Sequence, residues 1–459
     1  MMGRLLLSAV LLPLTGHATL AHTSERGHVM LMPTSLYVTG GALAVAVSIM
    51  VVAFLPALFK RGHHPVELAT VKCGMLASAL PSLASLLAAL FLIAAGIWGP
   101  VDPIANPLPA AIWTVWWIGM TVAVILFGNI WAAFNPWTGL YGLVFGADRH
   151  PVLRLPRWLG QWPAVAMLFG FAWLELVYPA PYDPFRLAVL AFSYLLLTFL
   201  GLVVFGRTWL DGVECFSIYF RMVSRLAALQ WRLADGRLRL EFGWPGRALL
   251  HHGETTPDTA AFVILALSTV SFDGFMRTFT WVGYLGLNPL EFPGRSQVIG
   301  ANTVGLLGMF ILLAAAYVAA VRLGRWLAGS RVPGLVWSIV PIAFAYHLAH
   351  YLPDVPVSAM QFIRAASDPF GTGLDILGTS GFVPPSTFMT DHRIATIVYR
   401  SQTAVIVVGH VLAVLGAHAM ALRSLPSPGA AILSQLPLNA VMVAYTVFGL
   451  WLLSTPVIG

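Results

Sequence analysis

Charged residues are scarce in this chain of 459 residues, making up 9% of it, whereas 58% of the residues are hydrophobic. A soluble domain carries about 25% charged residues, which it needs to cover a surface that faces water. The mean hydropathy of +0.82 points the same way. The composition therefore excludes a soluble globular protein and predicts a polytopic, all-α integral membrane protein.

Cysteine is nearly absent, and the common catalytic and nucleotide-binding motifs are missing. The two cysteines, Cys73 and Cys215, lie far apart and give no support to a disulfide framework, a CxxCH haem attachment or a cysteine-ligated cluster. The sequence has no Walker or dinucleotide glycine motif, zinc-finger spacing, HExxH, EF-hand loop or nucleophile elbow. No basic run with interleaved aromatic residues indicates a nucleic-acid partner. These absences leave open whether the protein is an enzyme.

The N-terminal residues are typical of a secretory signal. Arg4 provides a short basic region, "LLLSAVLLPL" an apolar core, and Ala18 and Ala21 a zone of small residues suited to cleavage. We predict a signal peptide over residues 1–21 and a short extracytoplasmic leader over 22–31; an uncleaved signal anchor is the alternative.

Long apolar runs predict ten membrane-spanning helices in a single domain over residues 32–459, because a helix needs about 20 apolar residues to cross the hydrocarbon. The predicted spans are 32–58, 74–98, 109–133, 162–178, 185–206, 258–284, 297–321, 333–351, 396–422 and 436–458.

The basic residues fix a predicted orientation, since cytoplasmic loops retain Lys and Arg. Most of the 25 basic residues fall in the loops that are cytoplasmic if the mature N-terminus lies outside. We therefore predict a bacterial-type inner (plasma) membrane protein with both mature termini extracytoplasmic. The basic inner loops also predict contact with anionic lipid of the inner leaflet.

Two connections are unusually long. The inner segment 207–257 mixes arginine with Trp, Phe and Leu, which predicts an amphipathic helix on the inner leaflet followed by a turn near Asp235 and Gly236. The outer segment 352–395 is rich in Gly and Pro but also apolar and aromatic. Because long irregular loops are usually functional or disordered, we predict a lid over the outer face.

The buried titratable residues are the best functional candidates, because ionisable side chains within spans are costly. In "PIAFAYHLAHYLPD", His347 and His350 are three residues apart and share one predicted helix face. Neutral imidazole is the commonest ligand of copper, zinc and iron, so this pair, with His410 or Asp273 as a third ligand, predicts a transition-metal site. Alternatively, each histidine satisfies a neighbouring backbone or side-chain group.

Other residues at similar predicted depth suit a path for ions or protons. Asp273 and Arg277 are spaced to pair at i,i+4, and Glu175 and Arg400 lie in the outer parts of their spans. Chains of acidic and histidine residues relay charge in pumps and transporters.

Two further cofactor sites are weaker alternatives. His347 and His410 could hold one haem b from opposite helices. If cleavage follows Ala21, the amino terminus, His22 and His28 would form a nitrogen-rich set that suits copper(II), although an ordinary leader explains the same residues.

Three hypotheses for function follow. In the first, the protein binds a metal or haem near its outer face for redox chemistry or metal handling. The second is an ion- or proton-coupled transporter that uses Asp273, Arg277, His347 and His350. The third is a non-catalytic assembly or scaffold subunit that binds other membrane proteins.

Overall fold

The computed structural model describes residues 34–53, 65–72, 75–146, 150–234, 237–250, 255–292, 294–330, 332–382, 391–455 and 457–458. The predicted signal peptide and leader, with His22 and His28, lie outside these residues, as does the turn at Asp235 and Gly236.

Helices make up most of the described chain. They are α1 (Thr34–Ala53), α2 (Met75–Trp98), α3 (Pro107–Phe127), α4 (Trp131–Phe134), α5 (Thr138–Phe145), α6 (Trp162–Leu176), α7 (Pro184–Phe205), α8 (Thr208–Gly212), α9 (Cys215–Val223), α10 (Pro257–Met276), α11 (Phe279–Tyr284), α12 (Arg295–Ala328), α13 (Val340–Tyr351), α14 (Val355–Ser367), α15 (His392–Ser424) and α16 (Pro428–Ser454). Short 3-10 turns cover Arg157–Leu159, Ser224–Leu226, Arg247–Leu250, Pro289–Glu291 and Leu335–Ile339.

A helix coincides with each of the ten predicted spans, but not all of these helices are long enough to cross a membrane. Among the described residues, seven pass a test of length and apolar composition, or eight if the bent pair Leu335–Tyr351 and Val355–Ser367 is one span. Val38–Val51 and Trp162–Leu176 are shorter apolar helices. The structure thus supports a multi-pass helical membrane protein, and the count of ten remains a prediction.

Local signals in the sequence define where several helices begin. Proline stands in the first turn of α7, α10 and α16, where its missing N–H would have no partner within the helix. Asp183, Asp391 and Ser427 cap α7, α15 and α16, each accepting backbone N–H groups of the first turn with its side-chain oxygen.

Helix α3 is irregular in its centre. Residues Ala111–Met120 form a π-helix between the α-helical ends Pro107–Ala110 and Thr121–Phe127. Such i to i+5 hydrogen bonding is rare and usually limited to a single turn, often at functional sites. This stretch carries Trp113, Trp116 and Trp117, and it places Trp117 beside His347.

The inner segment differs from the sequence prediction. Helix α9 is amphipathic but buried within the bundle rather than lying along its surface, and a β-hairpin follows it. Strands β2 (Leu229–Ala234) and β3 (Arg237–Phe242) pair antiparallel, and β1 (Val66–Lys72) adds to β3, so the fold is not purely α. The apolar residues of α9, such as Phe216 and Phe220, pack inward, whereas Phe242 and Trp244 near the end of the hairpin are exposed.

The outer segment is partly helical. Helix α14 forms its first part and packs against the N-terminal half of α3. The residues after it turn back over the end of α2, where the rings of Phe370 and Phe91 are 5.8 Å apart. The described part of the predicted lid therefore covers the ends of α2 and α3.

Helix α13, which carries the predicted histidine pair, lies in the centre of the bundle. It packs against α10 on one side and α15 on another, and α15 in turn packs against α16 and α1. Gly409 of α15 lies against the backbone of α13 at Pro341 and the side chain of Ala345. Small residues permit this close approach, which drives helix association in a bilayer where both environments are apolar.

Candidate functional site

A cluster of charged and phenolic side chains forms where three helix ends meet. Glu175 comes from the C-terminal turn of α6, and Asp273 from the last turn of α10, with Arg277 directly after it. His350 and Tyr351 end α13. We refer to these five residues as the acidic cluster; it lies at the end of the bundle that the sequence predicts to face outside.

Asp273 is the centre of the acidic cluster and is only 1% exposed. Its Oδ2 accepts a hydrogen bond from His350 Nε2 at 2.7 Å, and its Oδ1 lies 3.0 Å from Arg277 Nη2. The pairing with Arg277 confirms the i,i+4 prediction. Because a buried carboxylate is costly without such partners, both contacts are needed to keep the charge inside the bundle.

Tyr351 links the two carboxylates. Its hydroxyl donates to Glu175 Oε1 at 2.6 Å and lies 3.4 Å from Asp273 Oδ2. A phenol has a single proton to donate, so it can serve only one carboxylate at a time. Glu175 and Asp273 therefore compete for one proton donor.

A second arginine forms a hydrogen bond at this end of the bundle. Arg295, the first residue of α12, donates from Nη1 to the backbone oxygen of Glu175 at 2.6 Å. The sequence analysis missed this residue because it lies in the loop before its span, where a basic side chain gives no signal.

The acidic cluster is only partly buried. The His350 and Arg277 side chains are 20% and 18% exposed, in contrast to Asp273. Within the cluster, the most deeply buried charge is thus that of Asp273.

His347 does not share the surroundings of His350. Its ring is 1% exposed and makes edge-on contacts with Trp117 at 5.0 Å and with Tyr351 at 5.0 Å between ring centroids. Within the described chain, neither ring nitrogen of His347 has a hydrogen-bond partner, nor has Trp117 Nε1. The predicted convergence of His347 and His350 on one ion is therefore not what these contacts show, since His350 Nε2 is engaged by Asp273.

His410 lies in a third environment. Its Nδ1 is 2.8 Å from the backbone oxygen of Ile406, and its ring is 6.0 Å from those of Tyr346 and Tyr445. Arg400, nearly three turns before it on α15, is exposed. The described contacts thus bring Glu175, Asp273, Arg277 and His350 together, whereas His347, His410 and Arg400 lie outside that cluster.

The described residues contain no group of three His, Cys, Asp or Glu side chains placed to hold a metal ion. Copper, other transition metals and haem b therefore stay predictions from the sequence, as does the amino-terminal set with His22 and His28.

Compared with known protein families, curated proteins and solved structures, the chain matches none of them.

Proposed function

We propose that this protein is an ion-coupled membrane transporter whose coupling site is the acidic cluster around Asp273. The observation that carries the proposal is a buried carboxylate shared by His350 and Arg277 and connected through Tyr351 to a second carboxylate. Ionisable residues inside a membrane bundle are expensive and characteristically mark ion or proton pathways.

The charges of the acidic cluster suit a site that gains and loses a cation. Glu175 and Asp273 lie near the guanidiniums of Arg277 and Arg295 and the imidazole of His350, and the imidazole can be neutral or charged. Uptake of one cation or proton changes the balance between the carboxylates and rearranges the Tyr351 hydrogen bond. A scaffold subunit would need only neutral polar contacts between helices, which are less costly to bury.

The test is charge displacement on a solid-supported membrane that carries proteoliposomes of the purified chain. A rapid step in pH or in Na⁺ concentration should produce a transient current in the wild type as the ion binds. Asp273→Asn should abolish the transient, because the amide cannot take up a proton or balance Arg277. Asp211→Asn is the matched control, since Asp211 pairs with Arg221 on the surface. A wild type without a transient in either step would refute the proposal.

A metal or haem function is a second candidate, favoured by the two ring nitrogens of the buried His347 that lack hydrogen-bond partners in the described chain. Metal content and visible spectrum of the detergent-purified protein test it, with His347→Ala and His350→Ala compared. Stoichiometric copper, iron or haem that is lost in His347→Ala would support it. A colourless, metal-free wild type would rule it out.

A further inference from the structure

Buried polar side chains follow one another along α15 and its neighbour α16. On α15 these are Gln402, His410 and His418, and on α16 they are Gln435 and Asn439; all five are at most 4% exposed. Both helices are otherwise highly apolar. Five buried polar side chains on two neighbouring helices need a chemical explanation, because each is costly in a bilayer unless it is hydrogen-bonded.

Four polar atoms of these side chains are hydrogen-bond acceptors without a donor in the described chain. They are Gln402 Oε1, His410 Nε2, Gln435 Oε1 and Asn439 Oδ1. His410 Nε2 is an acceptor because Nδ1 faces the Ile406 carbonyl and must carry the ring proton there. Serine and threonine residues nearby, such as Thr446, instead bond a carbonyl of their own helix. A column of acceptors suits a species that can donate hydrogen bonds, such as water or hydronium, and disfavours an anion.

The order of these residues follows from the packing of the two helices. Gln435 Nε2 donates to His418 Nδ1 at 2.7 Å, which fixes the register of the antiparallel pair. Asn439, one turn further along α16, then lies level with the stretch of α15 midway between His410 and His418. Along the helix axis, Asn439 is therefore four residues, or about 6 Å, from His410 on one side and from His418 on the other. This is the length of two hydrogen bonds through one water molecule.

At the other end, Gln402 contacts the helix that carries His350 and Tyr351. Gln402 Nε2 donates to the backbone oxygen of Ala349, the residue before His350, at 2.7 Å. Gln402 and His410 are eight residues apart on α15, about 12 Å along the axis and rotated by about 80°. Because of this rotation, the polar side chains of α15 face α13, near Tyr346, at one position and α16, near Tyr445, further along the helix.

We propose that these acceptors line a file of water molecules that conducts protons between the acidic cluster and His418, so that the coupling ion is the proton. This proposal rests on the ion-coupled function proposed above and names its ion and its path. His410 is the basic group within the file. It takes a proton on Nε2 from one side and returns it to water on the other, while Nδ1 keeps its bond to the Ile406 carbonyl.

The composition of the helices supports a proton rather than a metal cation. Helices α13, α15 and α16 contain no Asp or Glu at all. A sodium or calcium ion would need several oxygen ligands at one point, whereas the acceptors here are spread along the axis. A proton relay needs only hydrogen-bonded steps.

Proteoliposomes with an enclosed pH dye and a potassium diffusion potential set by valinomycin test the path. Wild type should show a sustained proton flux that a sodium gradient does not replace. His410→Leu and Asn439→Leu, on different helices, should each lower the flux by about tenfold or more, because an apolar side chain leaves a desolvated gap for the proton. His392→Leu is the control, since His392 is exposed at the start of the same helix.

The transient current of the acidic cluster separates the two proposals. In His410→Leu and Asn439→Leu it should persist, which shows that the variants fold and that their acidic cluster still binds its ion. A wild type without the transient refutes both proposals. A wild type with the transient but no sustained flux overturns the path alone. So do leucine variants whose flux equals that of the wild type, or a sodium-driven flux of equal size.

Discussion

Gly409 should be intolerant of even a single methyl group. A Cβ at this position would collide with the Ala345 side chain and lie 2.9 Å from the Pro341 carbonyl oxygen. Both obstacles are fixed to the backbone of α13, so relief requires α13 and α15 to separate. Extra volume in a packed core costs about 1–3 kcal/mol. Gly409 precedes His410, so the same separation would loosen the contacts of Tyr346 with His410.

Gly416 on the same helix provides the matched control, because a Cβ there would meet nothing within 4 Å. Each of the two Gly→Ala changes gains about 1 kcal/mol or less from the higher helix propensity of alanine, and this gain cancels when the stabilities of the two variants are compared. We therefore expect Gly409→Ala to be less stable than Gly416→Ala by about 1–3 kcal/mol. Reversible unfolding in detergent–denaturant mixtures measures the difference. Equal stability of the two variants would refute the close packing of α13 on α15 that positions His410.

Two further predictions concern the acidic cluster and the outer loop. Tyr351→Phe should destabilise the fold by about 1.5–3 kcal/mol, because the carboxyl group of Glu175, charged or partly charged, loses the hydrogen bond that the Tyr351 hydroxyl donates. Unfolding of the variant at several pH values measures the change in stability. An unchanged stability would contradict the assigned bond. Asp375, in the loop after α14, accepts hydrogen bonds from the Ser367 and Ser380 hydroxyls and from the Ser380 and Thr379 amides, and these bonds lower its pKa to about 2. Because the pKa of Asp375 is lower in the folded protein than in the unfolded chain, the hydrogen bonds to its carboxylate should be fully formed above about pH 4. They should weaken, and the loop should loosen, as the pH falls towards 2. Amide exchange of Thr379 and Ser380, divided by the intrinsic rate at each pH, should show this loss in the wild type, whereas Asp375→Asn should show low protection throughout.

Much of the fold was predictable because the bilayer imposes length and apolarity on each crossing helix. All ten predicted spans coincide with helices, and proline and capping residues mark several of their starts. The segment from Arg207 to Pro257 was predicted less well. Its hydrophobic and basic residues satisfy both an amphipathic surface helix and a strand with alternating faces, and only the pairing of β3 with the distant β1 selects the hairpin.

Part of the candidate site was also predictable, because it depends on a local relation within one helix. The i,i+4 spacing of Asp273 and Arg277 is a local relation that a helix must realise, and the structure contains the ion pair. Tyr351 could be suspected only as a neighbour of the histidines, since its role depends on Glu175, which comes from a helix 176 residues away in the chain. Asn439 and Gln435 gave no signal because single amides in apolar helices are common.

The sequence by itself determined that this is a multi-pass helical membrane protein, because nine charged residues in a hundred are too few to cover the surface of a soluble protein. It also determined which few side chains would be costly to bury. Only the tertiary structure decided their partners: His350 turns to Asp273, His347 to an aromatic pocket and His410 to the α15–α16 interface. Residues three apart on a helix point about 60° away from each other, and the helix that packs on each side determines what each imidazole meets.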